Sequence, residues 1–253
     1  MKENKYPIPG FSLYFIIILI SSTAFASDGI KFNKLEDKIE YYKNMYGSKC
    51  LNDKITDNFG NGYDALYGTR NMRTILYGIA YRGGANNFYH KINKRDNHNP
   101  LPEDGLINLA NEGFSTAVYL YPTNYDSSKH EIINTKTKDT LKYLNLTGSK
   151  KKTLRKIVEM VADVINNPDK GPIYFHCWNG WHQSGLISSV ILMQFCNFSP
   201  GKAYDYWIEN TDNIHKGYKK IKEEIKSFEP FEDITIDKKT QSKICPCEQN
   251  KNK

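Results

Sequence analysis

The spacing of apolar residues changes repeatedly along the chain, and each change marks an element. Leu35, Ile39 and Tyr42 recur at helical spacing over Lys31 to Met45, which predicts an N-terminal helix outside the main sheet. Gly47 to Asn61 is turn-rich. Ile75, Tyr77, Ile79 and Tyr81 then alternate around Gly78, predicting a bent strand or strand pair over Asn71 to Arg82 that Gly83-Gly84 ends. A polar loop over Ala85 to Asn99 leads to a helix opened by Pro102-Glu103-Asp104-Gly105, with Leu106, Leu109 and Ala110 inward and Gly113 as its stop. Thr116 to Tyr121 reads as a buried strand, Pro122 to Thr140 as a long polar loop, and Leu141 to Leu146 as a short strand.

The second half is more regular. Leu154, Ile157, Val158, Val161 and Ile165 form a stripe of period 3.6, a helix packed on a sheet and halted by Asn166-Asn167-Pro168. Ile173 to Phe175 is a β-rich run, and Leu186 to Cys196 is nearly all apolar, as a helix buried at the sheet centre would be. Ser199-Pro200 opens a further helix through Trp207, and a last one spans about Tyr218 to Phe228. Strand, helix, strand, helix, strand, loop, helix predicts an α/β fold with a mostly parallel central sheet flanked by helices.

Between the β-rich run and the apolar helix lies His176-Cys177-Trp178-Asn179-Gly180-Trp181-His182-Gln183-Ser184-Gly185. Strand, tight turn and helix N-terminus put a row of backbone N–H groups around one thiol. Unpaired amides and the helix dipole both favour negative charge there, so the arrangement suits an anion or a thiolate.

These residues resemble the loop of the cysteine-dependent protein phosphatases, tyrosine and dual-specificity: His-Cys, five residues, Arg, then Ser or Thr. His176, Cys177, Gly180, Ser184 and Gly185 fall on the pattern, whereas the arginine position holds Gln183. The order of elements over residues 70–228 also resembles the dual-specificity phosphatase fold, and Tyr81-Arg82-Gly83-Gly84 with the segment Asp104 to Leu120 looks like the early part of its compact members.

The resemblance implies Cys177 as nucleophile and Ser184 as the hydroxyl that donates to its thiolate. Trp178, Asn179, Gly180, Trp181, His182 and Gln183 would contribute the anion-binding loop, with His176 supporting its backbone from behind. It implies no cofactor and a phosphorylated protein, small molecule or lipid as substrate. Gln183 offers one neutral amide in place of a charged bidentate fork. Loss of one preorganised donor costs about 3–4 kcal/mol at a transition state, so the departure points either to an atypical hydrolase or to a pseudophosphatase that binds an anion without turnover. His182 would add charge if protonated. Arg82 would either lean in or serve as a structural hydrogen-bonder at a strand end. The aspartate that the family carries some thirty residues before the cysteine is missing from Leu144-Asn145-Leu146-Thr147-Gly148, and Asp126, Glu131 and Asp139 are unranked substitutes. Trp178 and Trp181 would either stack on a flat substrate group or cover the core.

A metal reading of His176, Cys177 and His182, with His215 downstream, matches no standard zinc spacing, and no metal is expected. Residues 1–26 read as a secretory leader, with Lys2 and Lys5, an apolar Phe11 to Ile20 and an Ala24-Phe25-Ala26 cleavage site, which implies a secreted or periplasmic protein with no membrane span after cleavage. Residues 27–69 would then be an N-terminal extension, 70–228 the phosphatase-like domain and 229–253 a polar tail. The net charge of +7 comes from dispersed lysines, a mild bias toward anionic partners with no case for nucleic acid. Of the other cysteines, Cys196 reads as a packed core thiol, and Cys50 is expected to pair with Cys245 or Cys247.

Overall fold

The computed structural model describes residues 31–148 and 150–247, so the expected leader lies outside the described residues. The fold is α/β. Six strands form one sheet in the order β1-β2-β6-β3-β5-β4. These are β1 (Thr69–Leu76), β2 (Ala80–Ala85), β3 (Thr116–Tyr119), β4 (Glu131–Ile133), β5 (Thr140–Asn145) and β6 (Ile173–Cys177). The four inner strands β2, β6, β3 and β5 run parallel, and β1 and β4 close the two edges antiparallel. Ligand chemistry in such sheets gathers at the carboxyl ends of the parallel strands, and Cys177 is the last residue of central strand β6.

Helices cover both faces. One face carries the apolar cluster of Leu106, Leu109 and Ala110 from α2 (Glu103–Asn111) together with Tyr42 and Tyr46 from α1 (Leu35–Tyr46). The other face packs α3 (Lys151–Asn166), α4 (Gln183–Phe195), α5 (Pro200–Glu209) and α6 (Lys219–Ser227). The stripe of α3 is buried as its period requires, through Leu154, Ile157, Val158, Val161, Val164 and Ile165. Ser199 caps α5 by accepting from Lys202 N, with Pro200 in the first turn. Among the described residues no helix is long and apolar enough to cross a membrane.

Four sequence expectations are corrected. Gly83-Gly84 does not end β2, which runs on to Ala85. A Cβ on Gly84 would collide with the backbone of Asn179 and Gly180, so this glycine exists to let the loop after β6 lie against the strand. The 122–140 segment is not all loop, because it holds edge strand β4 and a short 3-10 helix, Tyr125–Ser127. Three residues of β4 give too short a pattern to read. The polar tail carries α7 (Lys238–Ile244), whose Ile244 is fully buried. Finally, Cys196 is not a packed thiol: it is bridged to Cys245, while Cys50 pairs with Cys247. Cys196 ends an apolar helix that Cys245 reaches only because α7 folds back, an encounter between positions 49 residues apart.

Both bridges constrain the unfolded chain, one across 197 residues and the other across 49. The double variant Cys196→Ser/Cys245→Ser is expected to lose about 2–4 kcal/mol of stability. A urea midpoint equal to that of the parent would show that the C-terminal segment docks without help from the bridge.

Candidate functional site

Residues 177–185 join β6 to α4, and their geometry is set by donors surrounding the loop. The Trp178 carbonyl accepts from Ala85 N at 2.9 Å. The Asn179 carbonyl accepts from Asn71 Nδ2 at 2.8 Å. Arg82 Nη2 donates to both the Gly180 and Trp181 carbonyls, the latter at 3.1 Å, and Trp207 Nε1 donates to the His182 carbonyl at 3.2 Å. A trans peptide points its C=O and the following N–H in opposite directions, so the amides of Asn179, Trp181, His182 and Gln183 are turned away from those donors. Gly180 takes a φ of 80°, and an antiparallel bridge pairs Asn179 with Gly84. Gln183, Ser184 and Gly185 form the first turn of α4, where N–H groups have no helical partner, and His182 at the N-cap supplies no side-chain cap.

The thiol of Cys177 is free, only 3% exposed, and 3.5 Å from the Ser184 hydroxyl. It therefore sits at the bottom of the loop rather than on the surface. Beneath it, His176 is fully buried and its ring is nearly parallel to those of Tyr119, Tyr143 and Tyr174. Its Nδ1 lies 3.2 Å from the Cys177 carbonyl and its Nε2 2.9 Å from the Tyr143 hydroxyl. A carbonyl can only accept, so Nδ1 carries the proton and Nε2 accepts from Tyr143. Burial pushes the His176 ring down to about 3, which keeps it neutral at physiological pH. The ring thus props the first peptide of the loop against Tyr143.

The other expected site residues take varied positions. Arg82 lies entirely behind the loop, bonded to two loop carbonyls and to Tyr206. It does not lean toward the thiol. His182 does not supply charge, because burial holds it below its ordinary range, its Nε2 contacts the Ile214 carbonyl and its ring stacks on Tyr218. Trp178 donates to the Tyr119 hydroxyl and stacks on Tyr121 at 4.1 Å, so one ring face is already covered. Trp181 is buried, with its indole N–H on Asp212 Oδ2 at 3.1 Å. Gln183 is half-buried in the first turn of α4. Among the described residues no three His, Cys, Asp or Glu are grouped to hold a metal ion.

No protein-family model matches the chain, and no curated protein matches it. Among solved structures, it is similar to the core catalytic domain of the PP-IP phosphatase SIW14 from S. cerevisiae, at 15% identity and a TM-score of 0.40 over 62% of this chain and 85% of that one. It is also similar to Tk-PTP in its active form, at 14% identity and 0.37 over 61% and 95%. A variant of human DUSP28 is similar at 12% identity and 0.35 over 61% and 93%. At these scores the likenesses carry no weight in the functional reading, which rests on the loop itself.

Sequence reasoning missed two residues at the loop. Asp212 accepts from the Trp181 indole and from Lys54 Nζ at 3.3 Å, while two of the carboxylates considered from sequence lie exposed on other segments and Asp139 lines a cavity with Gly113, Ser115 and Gly171 at the opposite end of the sheet. Arg70, in β1, donates to the Asn179 side chain at 3.2 Å and is itself buried beside the loop. The available signal was the charge pattern Arg70-Asn71-Met72-Arg73 at the start of a segment otherwise reading as buried strand. A buried strand carries an arginine only for a reason.

The His176 strut gives a pH dependence of defined sign. The unfolded ring takes a proton below about 6.5, whereas the folded ring resists until about 3, so this contribution is complete above 6.5 and lost as pH falls through that window. The limiting slope is one proton, about 1.4 kcal/mol per pH unit. Unfolding free energies of the parent and of His176→Gln, measured from pH 6.5 to 4.5, are expected to converge as pH falls. Parallel curves would show that the ring accepts a proton without leaving its place.

Proposed function

We propose that the chain is an exported thiol-dependent phosphatase, acting on a phosphate monoester through a phospho-cysteine intermediate. The observation that carries this reading is the loop whose carbonyls are bound by surrounding donors, which turns four of its amides away from those donors, next to a recessed free thiol that lies beside a serine hydroxyl at a helix N-terminus. Such a ring is complementary to the equatorial oxygens of a phosphoryl group at its transition state.

In the first step the Cys177 thiolate attacks phosphorus, the S–P bond forms, and the P–O bond to the leaving group breaks. The leaving oxygen takes a proton from Asp212 in its protonated form, the carboxyl group that meets the loop at the Trp181 indole. In the second step water attacks phosphorus and gives its proton to the Asp212 carboxylate left by the first step, and the S–P bond breaks to give inorganic phosphate and the thiolate. Ser184 Oγ donates to the sulfur as it leaves.

Export is supported by the leader-like first 26 residues and by two disulfides, which persist in oxidising compartments. Gln183 favours a second reading, a pseudophosphatase that binds a phosphate group in the same loop without breaking it. One assay separates the two. The disulfide-bonded protein given p-nitrophenyl phosphate is expected to turn over, with loss of activity in Cys177→Ser. Absence of turnover together with phosphate binding by calorimetry would establish the binding module instead.

A further inference from the structure

Arg70 is only 2% exposed, yet both of its hydrogen-bond acceptors are neutral amide oxygens: Asn179 Oδ1 for Nη1 at 3.2 Å and Asn58 Oδ1 for Nη2 at 2.6 Å. Its Nε–H is buried with no partner at all. A guanidinium has five N–H donors, and these two bonds leave three uncommitted, donors that phosphate oxygens can accept from. Burying a cation that no carboxylate hydrogen-bonds is costly, even with Asp212 and Asp57 acting on it from a distance. An anion binding beside it would meet that cost.

The backbone is shaped to bring this side chain to the loop. The register of β1 against β2 shifts between Arg70 and Arg73, and Asn71 within the shift takes a left-handed φ of 49°. Bulges of this kind re-aim side chains next to functional sites. Asn71 Nδ2 then bonds both Asn58 Oδ1 and the Asn179 carbonyl, so the bulge and the loop are tied by one network of three asparagines. The Arg70 guanidinium carbon lies 5.0 Å from the centre of the Tyr89 ring and 6.0 Å from that of Trp181, and flanking aromatic rings exclude water that would weaken its field.

We propose that Arg70 supplies the phosphate-facing cation that position 183 lacks, so that the anion site is assembled from two elements, the loop after β6 and the bulge of β1. This rests on the phosphate-binding reading of the loop. The groups acting on Arg70 are Tyr89, Asp212, Cys177 and Asp57, and those acting on or beside the thiol are Arg70, Tyr119, Tyr121, Tyr174 and Ser184. Arg70 is thus a buried cation held against the loop through Asn179, while Arg82 and Arg73, also buried, add positive field.

The test uses inorganic phosphate, measured by calorimetry, and the rate of Cys177 alkylation by iodoacetamide at one fixed pH. Arg70→Met is expected to weaken phosphate at least tenfold and to slow alkylation several-fold. The double variant Arg70→Met/Gln183→Arg is expected to regain most of the lost affinity, because it returns a fork to the same anion. A folded Arg70→Met with unchanged phosphate affinity and alkylation rate would overturn the proposal. Should Arg70→Met not fold, Arg70→Lys replaces it: the charge is kept and the fork lost, so a several-fold drop supports the proposal and an unchanged affinity refutes it. Failure of the wild type and of Gln183→Arg alike to bind phosphate would remove the proposed function itself. Wild-type binding indifferent to Arg70 would remove only this inference.

Discussion

The loop keeps its shape because Arg82, a fully buried guanidinium, holds two successive loop carbonyls, and Ala85, Asn71 and Trp207 hold the others. A loop of free peptides would rotate its carbonyls toward an incoming cation or water as readily as its amides toward an anion. Fixing the carbonyls removes that choice before any ligand arrives, so no reorganisation is left for the moment of binding. Close approach is the companion requirement. Gly84 lets the loop lie on β2, and Gly185 lets the start of α4 lie on Trp207 and Arg82, since a Cβ at either position would meet those neighbours. Arg82 and Gly84 belong to β2 and Trp207 to α5, and the loop sits where the two elements converge.

The layer beneath is unusually polar for a sheet centre. Tyr119, Tyr143 and Tyr174 present ring faces to His176, and their hydroxyls engage Trp178, the His176 ring and the Gly84 carbonyl respectively. Each of these side chains brings apolar area and one hydrogen-bonding group, so the layer packs densely while supporting the polar backbone above it. An aliphatic layer would leave the Cys177 and Gly84 carbonyls without these partners.

Polarity of this kind has a local cost. Arg70, Arg73 and Arg82 each keep a buried Nε–H without a partner, and Asn71 Oδ1 is likewise unsatisfied. All four atoms belong to β1 or β2 beside the loop, where an anion would be neutralised by the same charges. Stability is supplied elsewhere, through the large apolar face under α3 and α4 and through two bridges that fasten the C-terminal segment to the loop at Cys50 and to the end of α4. Strain at a site and reinforcement away from it is a common division of labour.

Sequence alone determined the α/β order of elements, because helix and strand periods are local properties of α3, β6 and α4, and it located the thiol, the serine and the glutamine at the helix start. It also posed the question that Gln183 raises. What it could not supply was everything that depends on distant segments meeting: the three-residue strand β4, the Cys196–Cys245 bridge, the meaning of Gly83-Gly84 as a contact strip, and the arrival of Asp212 and Arg70 at the loop. Arg70 lies 107 positions before Cys177, and nothing in the spacing of either residue announces the other. Their meeting is decided by the pairing of β1 with β2, of β2 with β6, and by one extra residue in β1 at the Asn71 bulge. Periodicity is written in neighbours along the chain, whereas a charge finds its partner through the packed sheet, and only the tertiary structure fixes that.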